Sequence, residues 1–168
     1  MELCTASLED FGRMRYNGPM PSHIEAMHQL TSGLLFIHSQ GLLHHRMKPS
    51  NVLICTKSPD RPPQLKWTDF GRGAVDGATY WGAPELFQNN FHGGVQFECQ
   101  HSSFQCDTFV LGCLFFYLLE RGAHPFGEGV EITKNIILSD PVNLKSEWVT
   151  WSFYCWSLMS DPPCLLSL

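Results

Sequence analysis

The fold of this chain is decided by residues 42–54, which have the sequence Leu42-Leu43-His44-His45-Arg46-Met47-Lys48-Pro49-Ser50-Asn51-Val52-Leu53-Ile54. The apolar runs at its two ends are too short for helices, and their composition is typical of strands. The residues Pro49-Ser50-Asn51 between them are typical of a turn. The stretch therefore predicts a polar, hairpin-like loop between two short strands of a small sheet.

Length and composition predict a single globular domain. The chain has 168 residues, of which 43% are hydrophobic, and its mean hydropathy is −0.10. This is enough apolar material for a sizeable core. The first residues lack the basic start and apolar centre of a signal peptide, and the longest apolar run, residues 109–119, is shorter than the roughly 20 residues that span a bilayer. We therefore expect a soluble, cytoplasmic protein with no membrane contact.

The balance of charges argues against a nucleic-acid or membrane surface. Eleven basic and sixteen acidic residues give a net charge of −5, and the lysines and arginines form no cluster along the sequence. Binding to nucleic acid or to anionic lipid usually depends on such a cluster. Proteins and small molecules are therefore the expected partners.

The cysteines predict reduced thiols. There are seven of them, at positions 4, 55, 99, 106, 113, 155 and 164, and the sequence has no C-x-x-C pair. An odd number without paired spacing argues against a disulfide framework. Zinc-type ligands do occur in the segment that holds His92, Cys99, His101 and Cys106, but their spacing matches no structural zinc site. We interpret residues 87–106 as an irregular polar insertion whose cysteines are buried or idle.

Helical periodicity is clear in two places. Ser22 is predicted to begin a helix, with Glu25 completing a capping box, and Ile24, Met27, Leu30, Leu34 and Ile37 follow at helical spacing. Residues 107–119 predict a second helix that is apolar all round, capped by Asp107 and ended at Gly122. Residues 132–138 and 146–159 predict two further helices. His28 and His38, both on the first helix, are interpreted as packing or surface residues.

Short motifs follow the loop in an informative order, namely Leu65-Lys66-Trp67, Asp69-Phe70-Gly71, Ala83-Pro84-Glu85 and Asp107-Thr108-Phe109-Val110-Leu111-Gly112. Each motif alone arises easily by chance, but the ordered set is specific. Together with the loop, it resembles the C-terminal lobe of a protein kinase. The sequence of residues 2–4, 34–39, 77–85 and 122–127 resembles in particular the inositol-requiring kinase/endoribonuclease family of the unfolded-protein response.

The resemblance implies a mainly α fold. The expected architecture is a kinase-like C-lobe, a helical bundle with a small β-hairpin sheet that carries the equivalents of the catalytic loop and of Asp-Phe-Gly. Residues 1–168 would form a partial protein kinase domain, with a hinge-like segment at 1–11 and the C-lobe at 12–162, and with neither the N-lobe nor the ribonuclease domain. Leu3 and Cys4 would then lie near the adenine ring of a nucleotide, although a frayed terminus is the alternative at this position.

Site residues are also implied by the resemblance, together with ATP and Mg²⁺ as cofactors. The family pattern in the loop is His-Arg-Asp-Leu-Lys-Pro-x-Asn, which His44, Lys48, Pro49 and Asn51 match. Lys48 would neutralise the γ-phosphate, Asp69 would chelate the Mg²⁺ that bridges the phosphates, and Asn51 would hold a second ion. These residue types suit those roles, because Mg²⁺ prefers oxygen ligands and a lysine is a point charge.

Phosphoryl transfer is expected to be lost. Arg46 stands where the family has the aspartate that serves as catalytic base, and a guanidinium has no acceptor atom. Losing a general base typically costs about 10²–10⁴ in rate. Ala78 replaces a threonine expected to touch the catalytic loop, and Gly12 and Gly18 do not form a G-x-G-x-x-G loop. Mg-ATP binding is therefore expected to be weak at best.

Two carboxylates are assigned structural roles by the resemblance. Asp107 should accept hydrogen bonds from the backbone of His44 and His45, and the alternative is an ordinary helix N-cap. In kinases the counterpart of Glu85 pairs with an arginine, but Leu165 stands at that arginine's place. Glu85 should therefore be either exposed or an unpaired buried charge.

The sequence leaves three functions open. The chain is a serine/threonine kinase whose upper lobe is supplied by a longer product, a pseudokinase that works as a binding or regulatory module, or a truncated product without selected activity. Its expected partners are other proteins, such as a second copy in a kinase-type dimer or a separate N-lobe. The kinase domain of the resembled family faces the cytosol from the endoplasmic reticulum membrane.

Overall fold

The computed structural model of the protein describes residues 4–56, 61–70, 80–87 and 103–144. The elements in these ranges are β1 (Ala6–Ser7), α1 (Leu8–Gly12), α2 (His23–Ser39), β2 (Val52–Cys55), β3 (Gln64–Trp67), α3 (Phe104–Leu119) and α4 (Glu131–Ile137). Short 3₁₀ turns lie at Pro49–Asn51 and Pro84–Leu86. This part of the chain is mainly helical with one small sheet, as the sequence predicted. The predicted helix at 146–159 lies outside it.

The sheet is antiparallel, in the order β1-β2-β3, with Ala6 opposite Ile54 and Leu53 opposite Lys66. The predicted strand at Leu42-Leu43 is wrong. The backbone N–H of Leu42 is used to close α2, because it donates to the Ile37 carbonyl while Gly41 takes the left-handed conformation, φ 71°. This is the Schellman ending of a helix, and it leaves Leu42 unable to join a strand ladder through that group.

Helix α2 begins as predicted, with Ser22 accepting a hydrogen bond from the Glu25 backbone at 3.2 Å. The capping box is not completed, because the Glu25 carboxylate accepts a hydrogen bond from Gln29 instead. The predicted apolar face is buried at Leu30, Leu34 and Ile37, whereas Ile24 in the first turn is 81% exposed. The helix lies on β3, where Gln29 Oε1 accepts from the Leu65 backbone and Trp67 Nε1 donates to the Leu30 carbonyl.

Helix α3 begins three residues earlier than predicted, at Phe104, with Ser103 as its N-cap residue. The predicted capping role of Asp107 is therefore wrong, and residues 104–106 are not part of an irregular insertion. Asp107 lies within the first turns of the helix, and its side chain is buried. This position directs the carboxylate away from the helix end and toward neighbouring elements.

A disulfide bond joins Cys4 to Cys55, which corrects the prediction that all thiols are reduced. The two residues are 51 apart in sequence, but β1 pairs with the end of β2, and their Cα atoms are 4.2 Å apart. The Thr5 backbone N–H donates to the Ile54 carbonyl beside the bond. Residues 4–12 therefore form an ordered edge of the sheet followed by α1, which excludes a frayed terminus for them.

The core lies between α2, α3 and the sheet. Its largest fully buried side chains include Leu8, Leu30, Ile54, Leu114 and Leu118. A second cluster, made of Phe87, Cys113, Phe126, Ile132 and Ile136, packs α4 against α3. Among the described residues, no helix is long and apolar enough to cross a membrane.

Candidate functional site

The loop at residues 44–51 leaves the end of α2 and enters β2, and we call it the 44–51 loop. His44, Met47 and Pro49 are buried, and they fix the loop to the core. His45 has a left-handed backbone conformation, with a φ of 63°. The 3₁₀ turn Pro49–Asn51 then leads directly into Val52 of β2. The loop is therefore held at both ends and along its inner side.

Asp107 anchors the start of this loop. Its Oδ2 accepts a hydrogen bond from the His44 backbone N–H at 2.8 Å, and its Oδ1 accepts one from the His45 backbone N–H at 3.2 Å. These are the two hydrogen bonds that the sequence predicted. Asp107 is only 3% exposed, and its bond to His44 is buried while its bond to His45 is partly buried. A buried carboxylate that accepts several hydrogen bonds is a strong local constraint.

A third group on Asp107 was missed by the sequence reasoning. His38 Nε2 lies 2.9 Å from Asp107 Oδ2, and its ring also contacts Phe104, with 4.7 Å between the ring centroids. Burial alone would raise the pKa of Asp107, but the bonds from His38, His44 and His45 outweigh burial and hold that pKa below its usual range. His38 and Asp107 are 69 residues apart, so no spacing in the sequence could reveal the contact.

The His44 ring is a buried core group. It is fully buried, its edge faces Trp67 with 5.1 Å between ring centroids, and burial lowers its pKa. Its Nδ1 accepts a long hydrogen bond of 3.4 Å from the Arg46 backbone N–H. Its Nε2 is buried without a hydrogen-bond partner among the described residues. The ring therefore shapes the loop and has no visible chemical role of its own.

Arg46 and Asp69 form an ion pair across the site. Arg46 Nη1 lies 3.0 Å from Asp69 Oδ1, and the side chains are 23% and 47% exposed. Asp69 follows β3 in the left-handed conformation, φ 61°. The Thr68 backbone N–H donates to the Asn51 carbonyl at 3.0 Å, which joins the end of β3 to the loop. The sequence identified both residues but did not predict that they pair.

Asn51 closes the loop from its other end. Its Nδ2 donates to the Arg46 carbonyl at 2.7 Å, and its backbone N–H donates to the Lys48 carbonyl at 2.9 Å. Asn51 is buried, whereas Lys48 is partly exposed and extended just before the turn. The structure thus brings together the predicted residues Arg46, Lys48, Asn51 and Asp69.

The remaining predicted site residues lie elsewhere or outside the described chain. Leu3, Gly71, Ala78 and Leu165 lie outside it. Cys4 is described, and its side chain is bonded to Cys55 at the edge of the sheet. Glu85 lies on the 3₁₀ turn after the buried Ala83, and its side chain is exposed. Of the two states predicted for Glu85, the structure therefore shows the exposed one.

Asp69, one of the two predicted Mg²⁺ ligands, is already bound to a cationic side chain in this arrangement. Mg²⁺ needs oxygen ligands in near-octahedral geometry. Asp69 Oδ1 is instead bonded to the Arg46 guanidinium, whereas the bond that Asn51 Nδ2 donates to the Arg46 carbonyl does not involve the amide oxygen. Within the described ranges no group of three or more histidine, cysteine or acidic side chains could hold a metal. The Arg46 guanidinium is thus bound to the Asp69 carboxylate that was predicted to chelate Mg²⁺.

Comparison with known proteins identifies relatives that match most of the chain. The family model of the protein kinase domain matches residues 1–161. The chain is 30% identical to the serine/threonine-protein kinase/endoribonuclease ire-1 of Caenorhabditis elegans, over 90% of this chain and 17% of that protein. It is 29% identical to the human serine/threonine-protein kinase/endoribonuclease IRE2, over 84% of this chain and 16% of that protein. The rice protein IRE1, with the same description, is 32% identical over 71% of this chain and 13% of its own length. The chain thus spans less than a fifth of each of these relatives.

Proposed function

The chain belongs to the protein kinase family, and on this premise we propose that it is a serine/threonine-kinase-like domain that binds nucleotide without transferring phosphate. In this proposal the 44–51 loop is the equivalent of the kinase catalytic loop, and Asp69-Phe70 begins the equivalent of Asp-Phe-Gly. The domain works as a binding or regulatory module. Its partners are other proteins, including a second copy of the chain.

The observation that carries this proposal is the arginine at the position of the catalytic base. A kinase base must accept a proton from the incoming hydroxyl or orient it as an acceptor. The Arg46 guanidinium has only donors and no acceptor atom. Its backbone is held by Asn51 and by the His44 ring, and its side chain is held by Asp69. Arg46 therefore cannot serve as the catalytic base.

The rest of the loop supports a binding role over a product without function. The anchor formed by Asp107 on His44 and His45 is intact, and Asn51 closes the loop. Lys48 and Arg46 supply cationic side chains on one short loop, and both residue types recognise phosphate. We propose Lys48, Asn51 and Asp69 as the nucleotide-site residues, with Leu3 and Cys4 near the base. We expect the affinity for nucleotide to be weak.

A phosphotransfer assay tests this proposal. The purified chain is incubated with γ-labelled ATP, Mg²⁺ and a general acceptor such as myelin basic protein, and labelled phosphate is counted on both proteins. We expect no incorporation above a blank without protein. Incorporation that is lost in Asp69→Asn but kept in Asp140→Asn, a change at an exposed aspartate outside the site, would contradict the proposal. Binding of ATP is measured separately, so that loss of transfer and loss of binding are distinguished.

A further inference from the structure

We infer that the Arg46 guanidinium takes the place of a divalent cation at Asp69, so that the site binds the phosphates of a nucleotide independently of metal. This inference rests on the proposed nucleotide binding and adds its chemistry. The ligand class is a nucleoside polyphosphate that carries no metal ion. Mg²⁺ is then not a cofactor of this domain.

The ion pair is the first support. The 3.0 Å contact between Arg46 Nη1 and Asp69 Oδ1 is a charge-assisted hydrogen bond. It places a positive charge directly on the carboxylate that is proposed to chelate the metal. A guanidinium carries five N–H donors in a planar fork. Arginine also pairs with phosphate in a bidentate manner, which makes it a suitable replacement for a metal that bridges carboxylate and phosphate.

The second support is that hydrogen bonds hold the backbone next to both Arg46 and Asp69. Asn51 Nδ2 binds the Arg46 carbonyl at 2.7 Å, and the His44 ring accepts from the Arg46 N–H. On the other side, the bond from the Thr68 N–H to the Asn51 carbonyl fixes the end of β3 just before Asp69. Ion pairs between two flexible surface side chains are weak because ordering both of them opposes the attraction. Here the backbone beneath the pair is already ordered.

The third support is the poor fit of the site to Mg²⁺. The ion would have to bind the Asp69 carboxylate while the Arg46 guanidinium, a positive charge, lies 3.0 Å from its Oδ1. Mg²⁺ also sheds its water reluctantly and is usually bound by carboxylates together with phosphate oxygens. With Arg46 and Lys48 on the same loop, the negative charge of the phosphates is neutralised by side chains instead.

The first arm of the test measures binding of a fluorescent ATP analogue, mant-ATP, to the full chain in EDTA and in Mg²⁺. We expect binding in EDTA, and we expect that Mg²⁺ does not strengthen it. Arg46→Gln should weaken binding in EDTA by about tenfold, as expected for the loss of one charge-assisted contact. The matched control is Arg13→Gln, which removes an arginine from the exposed pair with Glu9 and should change nothing. Binding that requires Mg²⁺ would overturn the inference while leaving the proposed nucleotide binding intact.

The second arm measures metal binding without nucleotide, by titrating Mn²⁺ and recording its electron paramagnetic resonance. We expect Arg46→Gln and Arg46→Ala to bind Mn²⁺ more tightly than the unaltered chain, and Asp69→Asn added to either variant should remove the gain. Equal Mn²⁺ binding by the unaltered chain and both variants would overturn the inference. If mant-ATP binds under no condition, the proposed nucleotide binding fails and so does the phosphate part of the inference. The Mn²⁺ arm still decides whether Arg46 holds the cation position.

Discussion

We expect Asp107 to contribute more to stability than an ordinary helix cap. It is buried, and it binds two backbone N–H groups and the His38 ring. We expect Asp107→Ala to lower the free energy of unfolding by at least about 3 kcal/mol, because it leaves buried donors without an acceptor. The measurement is the urea midpoint. The control is Ser22→Ala at a true N-cap, which should cost about 1 kcal/mol. Equal losses for the two variants would contradict the anchoring role.

We predict that His124 makes the free energy of unfolding depend on pH. Burial lowers the pKa of this ring from its ordinary 6.5 to about 4. Below pH 6.5 the unfolded chain takes up the proton first, so stability is fully present above that pH and falls until about pH 4. The shift corresponds to about 3 kcal/mol. His124→Asn keeps a side-chain acceptor for the Phe126 N–H but cannot titrate.

The measurement for His124 is the free energy of unfolding at several pH values for both proteins. The lowered pKa of His44 acts in the same direction, so the variant should keep part of the slope. Parallel curves for the unaltered chain and His124→Asn would show that the ring does not contribute.

Glu85 is expected to tolerate loss of its charge. Its carboxylate is exposed, so it carries no penalty of burial. We predict that Glu85→Gln changes the free energy of unfolding by less than about 0.5 kcal/mol, as is usual for surface substitutions. The thermal midpoint of the variant checks this. A large destabilisation would show that Glu85 has a partner in a part of the chain that the structure does not describe.

At the scale of elements, the disulfide between Cys4 and Cys55 ties β1 to β2. Closing a loop with a sequence separation of 51 residues stabilises by about 4 kcal/mol in the chain-entropy account. We therefore expect a reductant to lower the melting temperature clearly, and Cys4→Ser to lower it by a similar amount. The variant should then be insensitive to the reductant, and it serves as the control. No effect of the reductant on a chain shown by mass spectrometry to hold the bond would contradict this.

The observed helices and strands show which secondary-structure elements could be predicted from the sequence. Helix α2 was predicted because a capping serine and apolar spacing of about 3.6 residues agree. The strand at Leu42-Leu43 was wrong because the ending of α2 uses the Leu42 N–H. Serine and aspartate are both suitable N-cap residues, so Ser103 and Asp107 were both candidates for the start of α3. The prediction used Asp107, which placed the start of the helix three residues too late.

Most contacts between residues far apart in the sequence could not be predicted from it. The bond from Asp107 to the loop followed from the family resemblance, and the structure confirms it. The pairs His38–Asp107, Arg46–Asp69 and Cys4–Cys55 were not predicted. Each depends on how β1, α2, β3 and α3 pack, which no local pattern encodes. The substitution at Arg46 was visible in the sequence, but its effect on Asp69 was not.

At the scale of the whole molecule, this kinase-family domain keeps the anchor of its 44–51 loop, and we propose that Arg46 stands in place of both the catalytic base and the metal. The most direct measurement is a crystal of the chain soaked with ATP and Mn²⁺, with anomalous scattering recorded at the manganese edge. We predict phosphate density against Arg46 and no manganese peak within coordinating distance of Asp69. A manganese ion bound between Asp69, Asn51 and the phosphates, with Arg46 displaced, would contradict the proposal that Arg46 stands in place of the metal.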